Sequence, residues 1–250
     1  ELTDLSRTEM QPVRSDLQII FQDPVSSLNP RRKVRDIVAE PLVIGGVKDK
    51  AIIEQKVRET LIAVGMDPDI TMGRRPHEFS GGQCQRICIA RALVTDPKLI
   101  VCDEPVSSLD VSIQAQVLNL LEDMKNRYGL TMLFISHDLA VVKNISDRVA
   151  VMYLGRICEL ASSEQVYRRP AHPYTAGLMA TIPEIVDKQD QRNTMLAPPG
   201  EVPSPLTPPS GCRFHTRCKR ATQRCVDEEP QLEHVEVGHW VACHLPIADS

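Results

Sequence analysis

Polar side chains follow three short apolar runs of this sequence, at the points where the runs would end as strands. The runs are residues 17–21, 99–102 and 130–135, and the polar residues after them are Gln22, Asp103, Glu104 and His137. In an open parallel sheet, ligands bind beyond the carboxyl ends of the strands. We therefore expect these four side chains to converge on one site.

Each of these residue types is suited to phosphoryl transfer. An aspartate at a strand end can hold Mg²⁺, because that ion prefers oxygen ligands, and this role falls to Asp103. Glu104 can orient or deprotonate an attacking water, His137 can hydrogen-bond a γ-phosphate, and Gln22 can bridge a water or the metal. Singly, an acidic pair is more often a solvated loop and a lone histidine is more often structural. The phosphoryl interpretation therefore depends on their shared placement.

The segment FSGGQCQRICIAR, residues 79–91, predicts a helix whose first turn could face a phosphate. Ser80 is suited to the N-cap position, and Gly81 and Gly82 allow a ligand to approach the backbone closely. The unpaired N–H groups and the positive dipole end of a helix N-terminus attract anions. Taken alone, an ordinary helix with a glycine-containing cap is the more common case, and the strand-end residues favour the phosphate interpretation.

Apolar periodicity places helices between the strands. Helices are predicted at residues 34–43, 51–64 and 111–128, and two further strands at residues 148–154 and 156–160. The apolar side of the third helix is formed by Val117, Leu120, Leu121 and Met124. Strands that alternate with helices predict an α/β fold with a mostly parallel sheet.

The composition is that of an ordinary globular protein, with 42% hydrophobic and 25% charged residues. The net charge of −4 argues against a general nucleic-acid binder. No run approaches the roughly 20 apolar residues that span a bilayer, and the start does not resemble a signal peptide. We therefore expect a cytosolic protein without a nucleic-acid partner.

The eight cysteines form two groups. Four are isolated in apolar contexts, which predicts buried thiols: Cys84, Cys88, Cys102 and Cys158. The other four lie near the end of the chain: Cys212, Cys218, Cys225 and Cys243. A reducing cytosol disfavours disulfides, the spacing is wider than that of common zinc knuckles, and it matches no common ferredoxin run. The spacing alone leaves the ligand open, between a metal group and no ligand at all.

Basic residues lie among the first three of these terminal cysteines, which favours an anionic four-thiolate [4Fe–4S] centre. They are Arg213, Arg217, Lys219, Arg220 and Arg224. Four nearby histidines have no ligand-like spacing and are interpreted as surface or structural residues: His215, His234, His239 and His244.

Together these motifs resemble the nucleotide-binding subunits of ABC transporters. FSGGQ at residues 79–83 resembles the family signature, with Phe79 where the family usually has leucine. Residues 99–104 resemble the Walker B strand, and SSLD at residues 107–110 resembles the D-loop, which contains Asp110. The resemblance makes Gln22 the Q-loop glutamine, Glu104 the catalytic glutamate and His137 the switch histidine.

The resemblance narrows to the oligopeptide/dipeptide importers, and most of all to their second ATPase subunit. IIFQDPVSSLNPR at the first strand and HPYTAGL and PPSGCRFHTRC in the tail carry it. It implies ATP and Mg²⁺ as cofactors, with Asp103 at the metal, Gln22 at the metal or its water, and Ser80, Gly81, Gly82, Gln83 and Asp110 at nucleotide. Some importers with a similar tail contain a [4Fe–4S] cluster.

The family's phosphate loop, G-x-x-x-x-G-K-[ST], does not occur in these 250 residues, because none of the twelve glycines is followed by lysine. We therefore expect an ABC-type nucleotide-binding domain that is incomplete at its N-terminus. It spans residues 1–161, with a helical subdomain at about 30–95, a C-terminal extension at 162–250 and a proline-rich linker at 198–209.

In the family, two such domains dimerise head to tail, with each ATP between one phosphate loop and the other subunit's signature. The resemblance thus gives Ser80 to Gln83 to a partner's nucleotide and predicts no ATP turnover by this chain alone. The implied partners are a related ATPase subunit, two permeases and, indirectly, a peptide-binding protein, at the cytoplasmic face of a bacterial membrane. A non-catalytic dimerisation module is the alternative, and the tail argues against an ABC ATPase acting on DNA or ribosomes.

Overall fold

A computed structural model describes residues 2–182 and 200–247. The chain divides into two compact units, Glu1–His137 and Asp138–Ser250. The sequence predicts a domain boundary after residue 161, between the nucleotide-binding domain and the C-terminal extension, and that division stays a prediction. Of the predicted linker 198–209, residues 198 and 199 lie outside the described residues, and residues 200–209 contain neither helix nor strand.

The first unit is built on a three-stranded parallel sheet, as predicted. Its strands are β1 (Leu17–Ile20), β2 (Leu99–Asp103) and β3 (Thr131–Ile135), in the order β1-β2-β3. Ile20 is aligned with Cys102, which is aligned in turn with Phe134. All three strands therefore end at the same edge of the sheet, next to the predicted polar residues.

One face of this sheet is covered and the other is not covered by the described residues. Ile100 and Cys102 are buried, whereas Leu99 and Val101 on the opposite face are only half-buried. The continuous apolar run at residues 99–102 predicts a strand covered on both faces, and this prediction is wrong for the part of the chain that the structure describes. Side chains beside Val101 on the same face are also open to solvent: Ile19 is 38% and Leu133 is 54% exposed.

The described residues of the first unit also form six α-helices. They are α1 (Met10–Asp16), α2 (Val34–Ile44), α3 (Lys50–Ala63), α4 (Pro68–Thr71), α5 (Gly81–Leu93) and α6 (Val111–Tyr128). The α3 helix begins at Lys50 because the carboxylate of Asp49 accepts hydrogen bonds from the backbone N–H groups of Ala51 and Ile52. The predicted apolar side of α6 is buried as expected.

The second unit contains a four-stranded antiparallel sheet. Its strands are β4 (Arg148–Tyr153), β5 (Arg156–Ser162), β6 (Glu233–Glu236) and β7 (His239–Val241), in the order β4-β5-β7-β6. The β4–β5 hairpin was predicted from the sequence, but β6 and β7 were not. The described residues of this unit also form four short α-helices: α7 (Leu139–Ile145), α8 (Ser163–Arg168), α9 (Pro173–Met179) and α10 (Gln223–Asp227).

The fully buried carboxylate of Glu159 links β5 to β7 by a hydrogen bond. Glu159 accepts hydrogen bonds from the backbone N–H groups of Ala171 (2.8 Å) and His172 (2.9 Å), and from Nε2 of His239 (2.7 Å). A buried carboxylate is tolerated only when it is paired and hydrogen-bonded, and these three donors meet that need.

None of the described helices is both long and apolar enough to cross a membrane.

Candidate functional site

The strand ends bring together three of the four predicted polar side chains. Nε2 of Gln22 donates a hydrogen bond to Oε2 of Glu104 at 2.8 Å, and Nδ1 of His137 lies 3.1 Å from Oε1 of the same carboxylate. These residues are 82 and 33 positions apart from Glu104 along the chain. We call Gln22, Glu104 and His137 the strand-end cluster. Asp103 precedes Glu104 as the last residue of β2, and its side chain is exposed.

The backbone at Glu104 has an uncommon conformation. Its φ is 45°, in the left-handed region, which costs roughly 1–2 kcal/mol for a residue with a Cβ. Three hydrogen bonds hold this turn. The N–H of Glu104 donates to the carbonyl of Ile135 at 3.0 Å, and the N–H and the Oγ of Ser107 donate to the carbonyl of Glu104 at 3.2 and 3.1 Å. Such strain clusters at functional sites, and here it turns the carboxylate towards both Gln22 and His137.

The predicted helix of the signature segment is α5, and it begins as expected. The Oγ of Ser80 accepts a hydrogen bond from the N–H of Gln83 at 3.4 Å, and Oε1 of Gln83 accepts one from the N–H of Ser80 at 2.9 Å. This reciprocal pair is a capping box. Both side chains therefore have a structural task in addition to the predicted contact with nucleotide, which stays a prediction.

Gly82 lies against α6 of its own chain. A Cβ atom at Gly82 would stand 2.6 Å from Cγ2 of Ile113, whereas one at Gly81 would meet Leu109 at an ordinary 3.7 Å. The sequence predicted that both glycines leave room for a ligand. The structure adds a second reason at Gly82, which is the close packing of two helices.

Asp110 holds the start of α6 in place. Its Oδ1 accepts hydrogen bonds from Oγ of Ser112 at 2.7 Å and from the N–H of Ile113 at 3.1 Å. These hydrogen bonds, the one from Ser112 above all, lower the pKa of the Asp110 carboxyl. The predicted D-loop aspartate is thus an N-cap, and its contact with nucleotide stays a prediction.

The four terminal cysteines line one narrow cavity in the second unit, together with His172, Phe214 and Arg220. Burial raises the pKa of the Cys212 and Cys218 thiols, and it raises that of Cys243 to about 11. The cavity volume is about 10 Å³, about the space that a single water molecule occupies. Among the described residues, no three His, Cys, Asp or Glu side chains are placed to hold a single metal ion. The residue types fit a four-thiolate group, but the walls of this cavity would have to move apart to admit one.

The remaining cysteines are buried thiols, as predicted: Cys84, Cys88, Cys102 and Cys158. Burial raises the pKa of both Cys102 and Cys158 to about 12. These thiols are therefore protonated at neutral pH.

Comparison with known proteins places the chain in a family. Residues 1–107 match the model described as "ABC transporter", and residues 158–225 match "Oligopeptide/dipeptide transporter, C-terminal region". The oligopeptide transport ATP-binding protein OppF of Escherichia coli is 51% identical over 244 residues, which are 97% of this chain and 72% of that protein. The chain belongs to the ATP-binding subunits of ABC transporters. Within this family it falls among the oligopeptide and dipeptide transporters.

Other members of the family support the assignment. A putative peptide import ATP-binding protein of Brucella ovis is 54% identical over 243 residues, covering 97% of this chain and 76% of that protein. Among solved structures, cbiO1 of Clostridium perfringens, part of an ABC transporter complex, superimposes with a TM-score of 0.59 at 29% identity. The superposition covers 66% of this chain and 64% of the cbiO1 chain.

A second ATP-binding cassette, MJ0796, described as a dimeric post-hydrolysis state with ADP and phosphate, has a TM-score of 0.55 at 26% identity. The match covers 64% of this chain and 68% of that one. The ABC ATPase fold predicted from the sequence is therefore confirmed.

Proposed function

We propose that this ABC subunit hydrolyses ATP to drive peptide import, with the strand-end cluster as its hydrolytic centre. The observation that carries the proposal is the Glu104 carboxylate, which is held on one oxygen by Gln22 and approached on the other by His137. A carboxylate fixed in this way at the edge of a parallel sheet can orient a water for attack on a γ-phosphate. Asp103 is the proposed Mg²⁺ ligand beside it.

The peptide cargo and the partners are proposed from the relatives. Proteins named for oligopeptide transport and peptide import are about half identical to this chain over nearly all of it. We infer that the subunit lies peripherally at the cytoplasmic face of a bacterial membrane. Its proposed partners are two permeases, a peptide-binding protein and a related ATPase subunit in a head-to-tail dimer.

We further propose that Ser80, Gly81, Gly82 and Gln83 serve a nucleotide held by the partner ATPase subunit. The exposed capping box at the start of α5 presents a helix N-terminus, which favours an anion.

The test compares the transporter complex with the isolated 250-residue chain. We expect peptide-stimulated ATP hydrolysis by the complex and none by the chain alone. A complex that does not hydrolyse ATP, or a stimulation that Glu104→Gln leaves intact, would contradict the hydrolytic assignment and favour a non-catalytic module. Turnover by the isolated chain would contradict only the division of the site between subunits.

A second proposal concerns the four terminal cysteines as ligands of a [4Fe–4S] cluster. It is supported by the convergence of four thiols on one cavity beside Arg220, whose positive charge suits an anionic cluster. Anaerobic reconstitution with ferrous iron and sulfide should produce the thiolate–iron absorption band. Cys225→Ser should abolish the band and Cys158→Ser should preserve it. Binding of zinc without the band, or no binding at all, would contradict the proposal.

A further inference from the structure

A cavity in the second unit lies between the β4–β5 hairpin and two segments of the tail, residues 211–214 and 229–232. Its volume is about 410 Å³, which falls in the range of about 300–1,000 Å³ that is typical of small-molecule sites. It differs from the cavity of the four terminal cysteines, although Cys212, Phe214 and His172 line both. We call it the tail cavity. None of its lining residues belongs to the strand-end cluster or to the signature segment.

The walls of the tail cavity combine buried aromatic rings with exposed aliphatic side chains. Tyr153 and Phe214 are buried, and their rings pack edge to face with centroids 5.4 Å apart. Three further lining side chains remain open to solvent, with exposed fractions of 57% for Met152, 39% for Ile157 and 40% for Leu232. Exposed apolar side chains that gather around one opening are stabilised when an apolar group covers them. The walls therefore favour a ligand with an apolar body.

The charged side chains that line the tail cavity carry a surplus of one positive charge, because Arg156 and Arg213 are basic and Glu229 is acidic. Glu229 already pairs with Arg156 at 2.8 Å. Nη1 of Arg213 donates to the carbonyl of Leu154, but no carboxylate among the described residues pairs with this guanidinium. A guanidinium has five N–H donors and matches a carboxylate in shape. The polar group that suits this cavity is therefore an anionic carboxylate.

His172 adds a neutral hydrogen-bond donor to the same wall. The residue is 1% exposed, and burial lowers the pKa of its imidazole to about 4, so the ring is uncharged at neutral pH. Because Nδ1 accepts a hydrogen bond from the N–H of Tyr174 at 3.0 Å, the ring proton is on Nε2. No described residue accepts a hydrogen bond from this Nε2. A donor in so buried a side chain is costly to leave unpaired, and a carbonyl oxygen of a ligand would pair with it.

We propose that the tail cavity binds the C-terminal residue of a short peptide. In this arrangement Arg213 pairs with the free carboxylate, Nε2 of His172 donates to the backbone carbonyl before the last residue, and an apolar side chain packs against Ile157 and Leu232. A simple carboxylate with an apolar body makes only the first and third of these contacts and is the weaker ligand. Binding at this site does not depend on ATP hydrolysis at the strand-end cluster.

The first test titrates the 250-residue chain calorimetrically with N-acetyl-leucine, which has the carboxylate, the carbonyl and the apolar side chain. N-acetyl-leucinamide lacks the carboxylate and should bind about tenfold more weakly, the loss expected for a hydrogen bond to a charged group. 4-Methylpentanoate lacks the carbonyl and should bind about fivefold more weakly than N-acetyl-leucine. Equal binding of the acid and the amide, or no saturable binding of the acid, would overturn the proposal. Equal binding of the two acids would replace the peptide by a simple carboxylate and would also overturn it.

Substitutions of the arginine test where the carboxylate binds. Arg213→Gln should weaken N-acetyl-leucine about tenfold and abolish its advantage over the amide, whereas Arg213→Lys should keep that advantage because it keeps the charge. The matched control is Arg168→Gln, which removes a positive charge from an ion pair with Glu164 at 3.1 Å outside the cavity. It should bind as the wild type does. An equal loss in Arg168→Gln and Arg213→Gln would overturn the assignment of the carboxylate to Arg213.

Glu229→Gln gives the opposite expectation, which a damaged fold cannot imitate. The substitution releases Arg156 from its ion pair and raises the positive surplus of the cavity, so N-acetyl-leucine should bind about two- to threefold more tightly. Binding of N-acetyl-leucinamide should not change. Weaker binding of the acid by a variant that melts at the wild-type temperature would contradict the role given to charge.

His172→Asn tests the carbonyl contact, because asparagine can still accept the N–H of Tyr174 at the start of α9 but lacks the Nε2–H group. It should weaken N-acetyl-leucine about fivefold and leave 4-methylpentanoate unchanged. A merely structural role of His172 would weaken both ligands equally, and that result would overturn the contact. Unchanged binding of both ligands would also overturn it and would direct the ring to the cysteine cavity instead.

Discussion

Gly82 and Ile113 are in such close contact that a Cβ atom on the glycine would lie 2.6 Å from Cγ2 of the isoleucine. Ile113 is the third residue of α6, and its N–H is capped by Asp110. The signature segment and the D-loop helix of one chain therefore share a contact with no room for a methyl group.

This contact predicts a large penalty for the smallest substitution. Gly82→Ala should lower the free energy of unfolding by about 1–3 kcal/mol, because Ile113 must leave its present rotamer or the helices must separate. Urea titration of the isolated chain measures the change. Gly81→Ala is the matched control and should be neutral or slightly stabilising, since its Cβ meets Leu109 at 3.7 Å.

A second substitution that removes the clash with Ile113 should restore part of the stability that Gly82→Ala loses. Ile113→Ala deletes Cγ2 and leaves space for the new methyl, so the double variant should be more stable than the sum of the two single losses predicts. Additive losses would show that the two residues do not interact.

Two of the capping boxes, each formed by a serine and a glutamine, separate a stabilising role from a role in ATP hydrolysis. Ser80 with Gln83 caps α5, and Ser162 with Gln165 caps α8 through the same residue types. Ser80→Ala and Ser162→Ala should each cost about 1 kcal/mol of stability. Only Ser80→Ala should also slow ATP hydrolysis by the transporter complex, by at least fivefold. If Ser162→Ala slowed ATP hydrolysis equally, the result would contradict a specific role of Ser80 in that reaction.

The strand-end cluster predicts that the charge of Glu104 matters more than its hydrogen bonds. Glu104→Gln preserves a side-chain oxygen that can accept a hydrogen bond from Gln22, but it removes the carboxylate that we propose as the general base. Hydrolysis by the complex should fall at least 100-fold, in line with the usual contribution of general base catalysis, while ATP affinity stays within threefold. Glu122→Gln, on the exposed side of α6, should change neither quantity.

His172 should make the second unit sensitive to acid. Burial lowers the pKa of its imidazole to about 4, and its Nδ1 accepts a hydrogen bond from the N–H of Tyr174 at 3.0 Å. An unfolded histidine titrates near 6.5, so between about pH 6.5 and 4 the unfolded state binds more protons than the folded state. The stabilisation is complete above pH 6.5 and is lost as the pH falls towards 4.

The corresponding variant is His172→Asn, whose side-chain oxygen can replace Nδ1 at the start of α9. Between pH 7.5 and 5.0 the wild type should lose about 2 kcal/mol more of its unfolding free energy than this variant. Equal losses in the two proteins would assign the acid sensitivity to other groups.

Much of the first unit could be predicted because its signals are local. The strands at β1, β2 and β3 are apolar runs that end in polar residues, and the apolar side of α6 has a clear helical period. The convergence of Gln22 and His137 on Glu104 could be predicted because the carboxyl ends of parallel strands meet at one edge of a sheet. Ser80 as an N-cap followed from the residue type and the helix after it.

The remaining features depend on partners that are far away in the sequence. No residue close to Gly82 in the sequence indicates that the side chain of Ile113 packs directly against its Cα. Strands β6 and β7 are short, and β6 is fully exposed and charged, so periodicity does not distinguish them from a loop. Gly238 between them, with a φ of 73°, was the available turn signal. The pairing of Glu159 with His239 joins residues 80 positions apart.

The position of β7 gives the tail a protective role against self-association. β5 has neighbours on both sides only because β7 occupies the side opposite β4. If proteolysis removed the chain from residue 233 onwards, β5 would become an edge strand with unpaired N–H and C=O groups. Glu159 would also lose His239. Exposed edges of this kind recruit strands from other molecules, so a clipped subunit should aggregate even though its nucleotide-binding unit is intact.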